Sequence, residues 1–298
     1  DILRVGLCQI LFMEVADYGA VATCVELTRQ LGHSAHIKLV NAVLRRLGRE
    51  GPKMVCDLDE ARINTPEWLW DKWSAAYGED ICRQMAGAHL AGASLDISTK
   101  GDPQTWAAEL GGDILFANTI RLKNHDQVTK IPGFQDGQWW VQDAAARLVV
   151  EMAGDVTDKS VIDLCAAPGG KTAQFLARGA QVTAVDRSAA RLERLKQNME
   201  RLKFTPSVVK ADVSHWRPKR SADVVMLDAP CSATGTARRH PDVLWSKSES
   251  DIAQLAAIQQ GMMSAAAESV APGGLLIFAT CSLQPEEGIN HVSPFLDA

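Results

Sequence analysis

A chain of 298 residues, 46% apolar and 22% charged, is an ordinary globular composition long enough for two domains and at least one sizeable core. No run approaches the ~18 apolar residues of a membrane span and no signal-peptide pattern opens the chain; seven cysteines, an odd number without a C-x-x-C pair, suit neither a disulfide framework nor a zinc site. A reducing, cytoplasmic setting without membrane or metal is therefore expected, a monomer is the expected state, and the net charge of -5 argues against indiscriminate coating of nucleic acid while leaving room for local basic patches.

The chain starts at Asp1, already inside a helical pattern, and reads as part of something longer. Leu3, Leu7, Ile10 and Leu11 make one apolar stripe, Val21, Cys24, Val25 and Leu31 a second, and Ile37, Val40, Leu44 and Leu47 a third. Gly19, Gly32 and Gly48 punctuate or close these helices. Arg45, Arg46 and Arg49 lie off the third stripe, with Lys53 just beyond, and suit a solvated face or an RNA-phosphate patch equally. Residues 51–66 lack sustained periodicity and read as a linker. One or two helices follow, rich in tryptophan, and Trp68, Trp70 and Trp73 do not all share one face. From residue 94 to 134 the β-like runs SLDIST and DILF flank a helical PQTWAAEL, which suggests a small α+β unit.

From about Gln142 strand and helix alternate. Helix DAAARLVVEMAG leads to strand SVIDLC, helix KTAQFLARG, strand AQVTAVD and helix DRSAARLERLKQNMERLK. Strands SVVKAD and ADVVMLD, a helix from 251 to about 270 and strand LLIFATCS complete the series, the pattern of a doubly wound parallel α/β sheet. Open α/β sheets bind ligands at the carboxyl ends of their strands. Those ends are residues 163–165, Asp186, Asp212, Asp228 and Cys281. Singly, an Asp after a strand is more often a cap or a turn. Five polar ends in series make a site.

The loop CAAPGGKT admits a nucleotide-phosphate reading, since Gly170, Lys171 and Thr172 fit its signature, but Cys165 stands where the first glycine belongs. An acid after the second strand suits a ribose better than a triphosphate. A nucleoside with an amino-acid tail fits every position. Gly169 and Gly170 let the backbone approach the tail, Asp186 takes the ribose and Asp212 accepts from an adenine amino group. The expected cofactor is S-adenosylmethionine, with a phosphate-loop nucleotidase as the alternative.

LDAPCSATGT puts Cys231 three residues after Asp228, and ATCS puts Cys281 at the end of the next strand. One buried cysteine is usually an inert small hydrophobe; two on neighbouring strand ends suggest chemistry. Methylation of a pyrimidine ring carbon needs a thiol, because a thiolate adding to carbon 6 of cytosine makes carbon 5 nucleophilic. Asp228 is placed to assist near the ring nitrogen or amino group.

The stretches VQDAAARL, DLCAAPGGKT, AVDRSAARL, LDAPCSATGT, RRHPDVLW and ATCSLQPEEG resemble those of the bacterial 16S ribosomal RNA cytosine-5 methyltransferase family RsmB, also called Sun or Fmu. YGAVATCVELTRQLG followed by KLVNAVLRRL resembles the NusB-like helical RNA-binding domain that precedes the catalytic part. The resemblance implies an all-α NusB-like domain over 1–55, a helical linker and small α+β subdomain over 66–135, and a Rossmann-like methyltransferase domain over 136–298. It implies an RNA substrate, Cys281 as attacking nucleophile and Cys231 as the thiol that assists product release. It implies a cofactor site of Cys165, Ala166, Ala167, Pro168, Gly169, Gly170 and Lys171 with Asp186, Asp212 and Asp228. Arg238, Arg239 and His240 suit RNA phosphate or a structural role. Only 17 residues follow Cys281, where the resemblance implies two further strands, one antiparallel. A non-catalytic RNA-binding or antitermination factor on a vestigial cofactor fold is the other alternative.

Overall fold

The computed structural model describes residues 1–13, 15–123 and 127–297, and the chain divides into two units, Asp1–Asn64 and Thr65–Ala298. The first holds helices α1 (Ile2–Phe12), α2 (Asp17–Gln30), α3 (Ile37–Val55) and the short α4 (Glu60–Ile63). Val21, Cys24, Val40 and Leu44 form its buried centre, with Ile2, Leu3, Ile10 and Val25 packed against them. The three expected stripes therefore meet, except at Leu31, which lies just past the last turn of α2 and is 57% exposed.

The expected linker is a helix for part of its length, because α3 runs through Gly51 and Pro52 to Val55. A Cβ at Gly51 would stand 2.9 Å from Leu11 Cδ2, so the glycine marks close approach to α1 rather than a break. Pro52 removes only the bond to the Gly48 carbonyl. The basic residues of α3 are exposed; Arg46 pairs with Glu50 at 2.8 Å, and Arg45 donates to Asn41 Oδ1 at 3.1 Å.

The second unit opens with α5 (Glu67–Tyr77) and α6 (Glu79–Leu90), which bury Leu69, Trp70, Trp73, Cys82 and Ala86. A small antiparallel sheet follows, built from β1 (Leu95–Thr99), β2 (Gly112–Phe116), β3 (Thr119–Leu122) and β4 (Trp139–Val141) in the order β2-β3-β1-β4. Helix α7 (Pro103–Leu110) crosses from β1 to β2, with Pro103 in its first turn and Asp102 accepting from the Gln104 and Thr105 N–H groups. The small α+β unit is thus present, and its fourth strand falls past the expected boundary at residue 135.

The larger sheet takes β5 (Ser160–Leu164), β6 (Gln181–Asp186), β7 (Ser207–Lys210), β8 (Ala222–Asp228) and β9 (Val270–Ala279), all parallel, in the order β7-β6-β5-β8-β9. Helices α8 (Ala144–Glu151), α9 (Gly170–Ala177), α10 (Ala189–Arg201), α11 (Glu249–Ala267) and α12 (Val292–Leu296) accompany it. Strands β5 and β8 are buried nearly throughout because helices cover both faces, hence the continuous apolar runs VIDL and VVML. Ser188 caps α10, and a Ser248–Asp251 capping box starts α11. Strand order reverses between β5 and β8, and there the carboxyl ends open a crevice. Among the described residues β9 is an edge strand.

Candidate active site

The loop after β5 is held by one turn of its own and by bonds to β6 and α10, where Asn198 Nδ2 donates to the Pro168 carbonyl at 2.9 Å. Cys165 has φ 60° and Gly169 has φ 102°, and a Cβ on Gly169 would lie 3.0 Å from Met199 and 3.1 Å from Leu195 of α10. Glycine is therefore required there on two counts, whereas a Cβ on Gly170 meets open space. Ala166 N–H bonds to the Val185 carbonyl (3.0 Å), Ala167 N–H to Asp186 Oδ2 (3.3 Å) and Gly169 N–H to the Ala166 carbonyl (2.8 Å). A phosphate loop aims such N–H groups at its anion; here three are already engaged.

Two cavities open on the strand tips. One, of about 490 Å³, is lined by Cys165, Asp186, Asp212, Asp228, Cys231 and Cys281, among others. Asp186 is 1% exposed and accepts from the N–H groups of Ala167 and Ser188, with Arg191 Nη1 3.5 Å away. A carboxylate has about four acceptor sites, so capacity remains for the two hydroxyls of a ribose. Asp212 lies in the turn after β7, where the Ser214 N–H foremost holds its carboxyl below the usual range. The lining carries three carboxylates, Asp186, Asp212 and Asp228, beside two guanidiniums, Arg187 and Arg191, and this excess of acid over base suits a cationic sulfonium and ammonium better than a triphosphate. Ala166, Ala167, Pro168, Gly169 and Gly170 are not among its lining residues; Ala166 and Ala167 pack instead with Leu195 and Met199.

Lys171, expected with the cofactor loop, lines the other cavity, of about 540 Å³, and its ammonium sits 2.8 Å from Asp228 Oδ2. The lysine that would grip a phosphate is paired with an acid. This second cavity also takes Asp228 and Cys281 as walls, so the two spaces share those residues. Its other titratable lining comes from His89 of α6 and from Asp143, Arg238 and Arg239, with the hydroxyls of Thr236, Thr280 and Ser282 beside them. Asp143 Oδ2 accepts from Arg238 (2.5 Å) and Arg239 (2.7 Å), while Oδ1 accepts from Ala145 N–H at the start of α8. Burial pushes this carboxyl up, but those donors outweigh it and hold it below the usual range. His240 is exposed.

At the shared wall Cys231 Sγ and Cys281 Sγ stand 3.4 Å apart, both free thiols. The contact splits their acidities: a hydrogen bond given by Cys231 holds the Cys281 thiol below its usual value, against burial and Asp228 and with help from Lys171. The same bond, with burial, pushes Cys231 up. Burial pushes the Cys165 thiol up to about 12, with Asp186 adding to it. Of the three thiols on this rim, Cys281 is the one disposed to ionise.

Asp163, at the end of β5, is fully buried, accepts from Thr172 Oγ1 at 2.5 Å and leaves Oδ1 without a partner among the described residues. Burial raises its carboxyl to about 7. Asp143 escaped the sequence reading as a site residue because an Asp before AAARL reads simply as a helix cap. The described residues hold no cluster of three or more His, Cys, Asp or Glu able to bind a metal, and no helix long and apolar enough to cross a membrane.

Residues 152–298 match the family described as 16S rRNA methyltransferase RsmB/F, and residues 1–49 match the NusB family. The chain is 34% identical to ribosomal RNA small subunit methyltransferase B of Vibrio cholerae, over 99% of this chain and 72% of that protein. It is 35% identical to the protein of the same name from Serratia proteamaculans, with the same coverage. Among solved structures, PH0851 superposes with a TM-score of 0.83 at 23% identity, over 99% of this chain and 72% of that one. NSun6 from Pyrococcus horikoshii with SFG gives 0.68 at 18% identity, over 78% and 87%. These two likenesses concern the fold. On the near full-length identity to its relatives, the chain belongs to the RsmB/F family of S-adenosylmethionine-dependent ribosomal RNA methyltransferases.

Proposed function

We propose that the chain forms 5-methylcytosine in RNA, with 16S ribosomal RNA as the substrate, in the reducing cytoplasm where its thiols stay free. The observation that carries this reading is the pair of thiols at the wall shared by the two cavities, 3.4 Å apart and unequal in acidity. A methyltransferase acting on nitrogen or oxygen needs no thiol there.

In this reading the cavity of about 490 Å³ holds S-adenosylmethionine, with Asp186 on its ribose and Asp212 toward its adenine. When bound, the cofactor supplies an electrophilic methyl group on a sulfonium. The cavity of about 540 Å³ receives the cytosine, which must be unpaired or swung out of its helix for a thiolate to reach the ring face. Cys281 adds to carbon 6, forming a C–S bond while the ring double-bond electrons move to carbon 5. Asp228, held by Lys171, steadies the ring nitrogen or amino group as charge develops. Carbon 5 would take the methyl, leaving S-adenosylhomocysteine; its proton then passes to solvent water, the C5–C6 double bond re-forms and the C–S bond breaks, returning the Cys281 thiolate. Cys231, which keeps its proton, assists that release. Arg45, Arg46 and Arg49 of α3 and Arg238 and Arg239 supply RNA-phosphate contacts, so binding weakens as salt rises.

The test is methyl transfer to ribosomal RNA with bisulfite mapping of the product. Cys281→Ala should lower transfer by at least about 10³-fold while cofactor affinity stays within about twofold. Cys231→Ala should instead accumulate a covalent RNA–protein adduct on a denaturing gel. Product without carbon-5 methylation sinks the reaction; an adduct that survives loss of Cys281 reverses the thiol roles. Binding of ATP-Mg²⁺ in place of S-adenosylhomocysteine would favour a nucleotidase.

A further inference from the structure

Both cysteine loops converge on a carboxylate outside the two cavities. Glu287, in the stretch QPEEG after Cys281, is 0% exposed. Its Oε1 accepts from Ser232 N–H (2.9 Å) and Gln259 Nε2 (3.1 Å), and its Oε2 from the hydroxyls of Ser282 (2.5 Å) and Ser232. Its own carbonyl accepts from Thr280 Oγ1 at 3.1 Å. Gln259 of α11, which shares the carboxylate, also donates to the Pro230 carbonyl at 2.9 Å, and its Oε1 lies 2.9 Å from His291 Nε2.

The consequence for the thiols is direct. Cys281 is bracketed by Thr280 and Ser282, both bonded to Glu287. Cys231 is bracketed by Pro230 and Ser232, bonded to Gln259 and to Glu287 respectively. The two serine hydroxyls meet at 3.0 Å. A carboxylate only accepts, and four donors from three parts of the chain point at this one. A buried network with every member engaged fixes one geometry. Here that geometry spaces two strand-end loops whose cysteines are 50 residues apart in sequence.

We infer that Glu287 is a positioning residue that clamps the loops of Cys231 and Cys281 together and so sets the thiol–thiol contact. The inference rests on the proposed role of these thiols, and Glu287 touches neither the RNA nor the cofactor in it. The clamp works by shape: Gln at this position keeps an oxygen for Ser232 N–H and Gln259 and turns its amide hydrogens to the hydroxyls, which rotate to accept.

The test uses the whole chain without RNA or cofactor. Iodoacetamide alkylation of Cys281 and Cys231 is followed peptide by peptide across pH, with buried Cys82 as the reporter of folding. The other charged groups around Cys281 are Lys171, Asp228, Asp143, Arg238, Arg239 and His89 on one side and Asp186, Asp212, Arg187 and Arg191 on the other, and none bonds to Glu287. Glu287→Ala should slow Cys281 alkylation near pH 7 about tenfold and move its midpoint up by about one unit, since a unit of pKa is a tenfold change in thiolate. Glu287→Gln should stay within about threefold of the parent. If Glu287→Ala exposes Cys82 to the reagent, Ser282→Ala decides, with about a threefold slowing. An unchanged Cys281 midpoint in Ser282→Ala and in folded Glu287→Ala overturns the clamp, as does a Gln profile that follows Ala. Alkylation reads the clamp even if RNA methylation maps elsewhere, and methyl transfer surviving Cys281→Ala sinks the proposed function while leaving the clamp measurable.

Discussion

The cavity bounded by Asp186 and Asp212 and the cavity bounded by Asp143, Arg238 and Arg239 meet at Asp228 and Cys281, yet they are built in different ways. The first takes its acids from the ends of successive parallel strands, so its chemistry follows from the sheet itself. The second is assembled from α6, α8 and the loops after β8 and β9, and its acid is tied to two guanidiniums. A parallel sheet supplies a binding rim as a by-product of its topology; a second pocket beside it has to be recruited from elements distant in sequence.

If that division of labour is right, substitutions on one side should leave the other side's ligand alone. The largest effect is expected from Asp186→Ala. Losing a buried carboxylate that accepts charge-assisted or hydroxyl bonds costs about 1.5–3 kcal/mol, so affinity for S-adenosylhomocysteine by calorimetry should fall about 10- to 100-fold with RNA affinity unmoved. Equal losses of both ligands would erase the distinction between the cavities. A smaller effect should follow from Arg239→Ala: KM for RNA rises about threefold to tenfold, more steeply in salt, while cofactor affinity holds. A drop in cofactor affinity alone would move Arg239 to the other cavity.

The last expected effect is on stability and lies at the end of β5, the strand between those that carry Asp186 and Asp228. Asp163 is raised from the ordinary 3.8 to about 7, so the folded state holds its proton where the unfolded chain has lost it. Its contribution to stability is complete below about pH 4 and declines as pH rises toward 7. Thermal unfolding across that window should show a decline that Asp163→Asn flattens. The same slope in the variant would assign the titration to another group.

The alternating strands and helices were legible because buried parallel strands are apolar on both faces, and four of the five carry an acid at or within two residues of their ends. That pattern places Asp186, Asp212 and Asp228 without knowledge of any contact. Lys171 was harder: GKT in a loop after a strand looks the same whether the ammonium meets a phosphate or, as here, the Asp228 carboxylate one strand over. Pairings across the sheet leave no local mark. Gly51 and Pro52 misled for a related reason, since GP is a breaker by composition but here lies in a helix packed closely on Leu11. Glu287 carried a faint signal, an acid six residues past a cysteine, but only the fold brings Ser232 and Gln259 to it.

The neighbourhood of Cys281 also sets a limit on tolerable change. Gly235 gives its N–H to the Cys281 carbonyl at 2.9 Å, and a methyl group there would sit 2.8 Å from that same oxygen. Even alanine would have to shove the sulfur-bearing turn aside. A residue without a side chain thus holds the Cys281 turn in place, and altering it would shift that thiol while every titratable group stayed in the sequence.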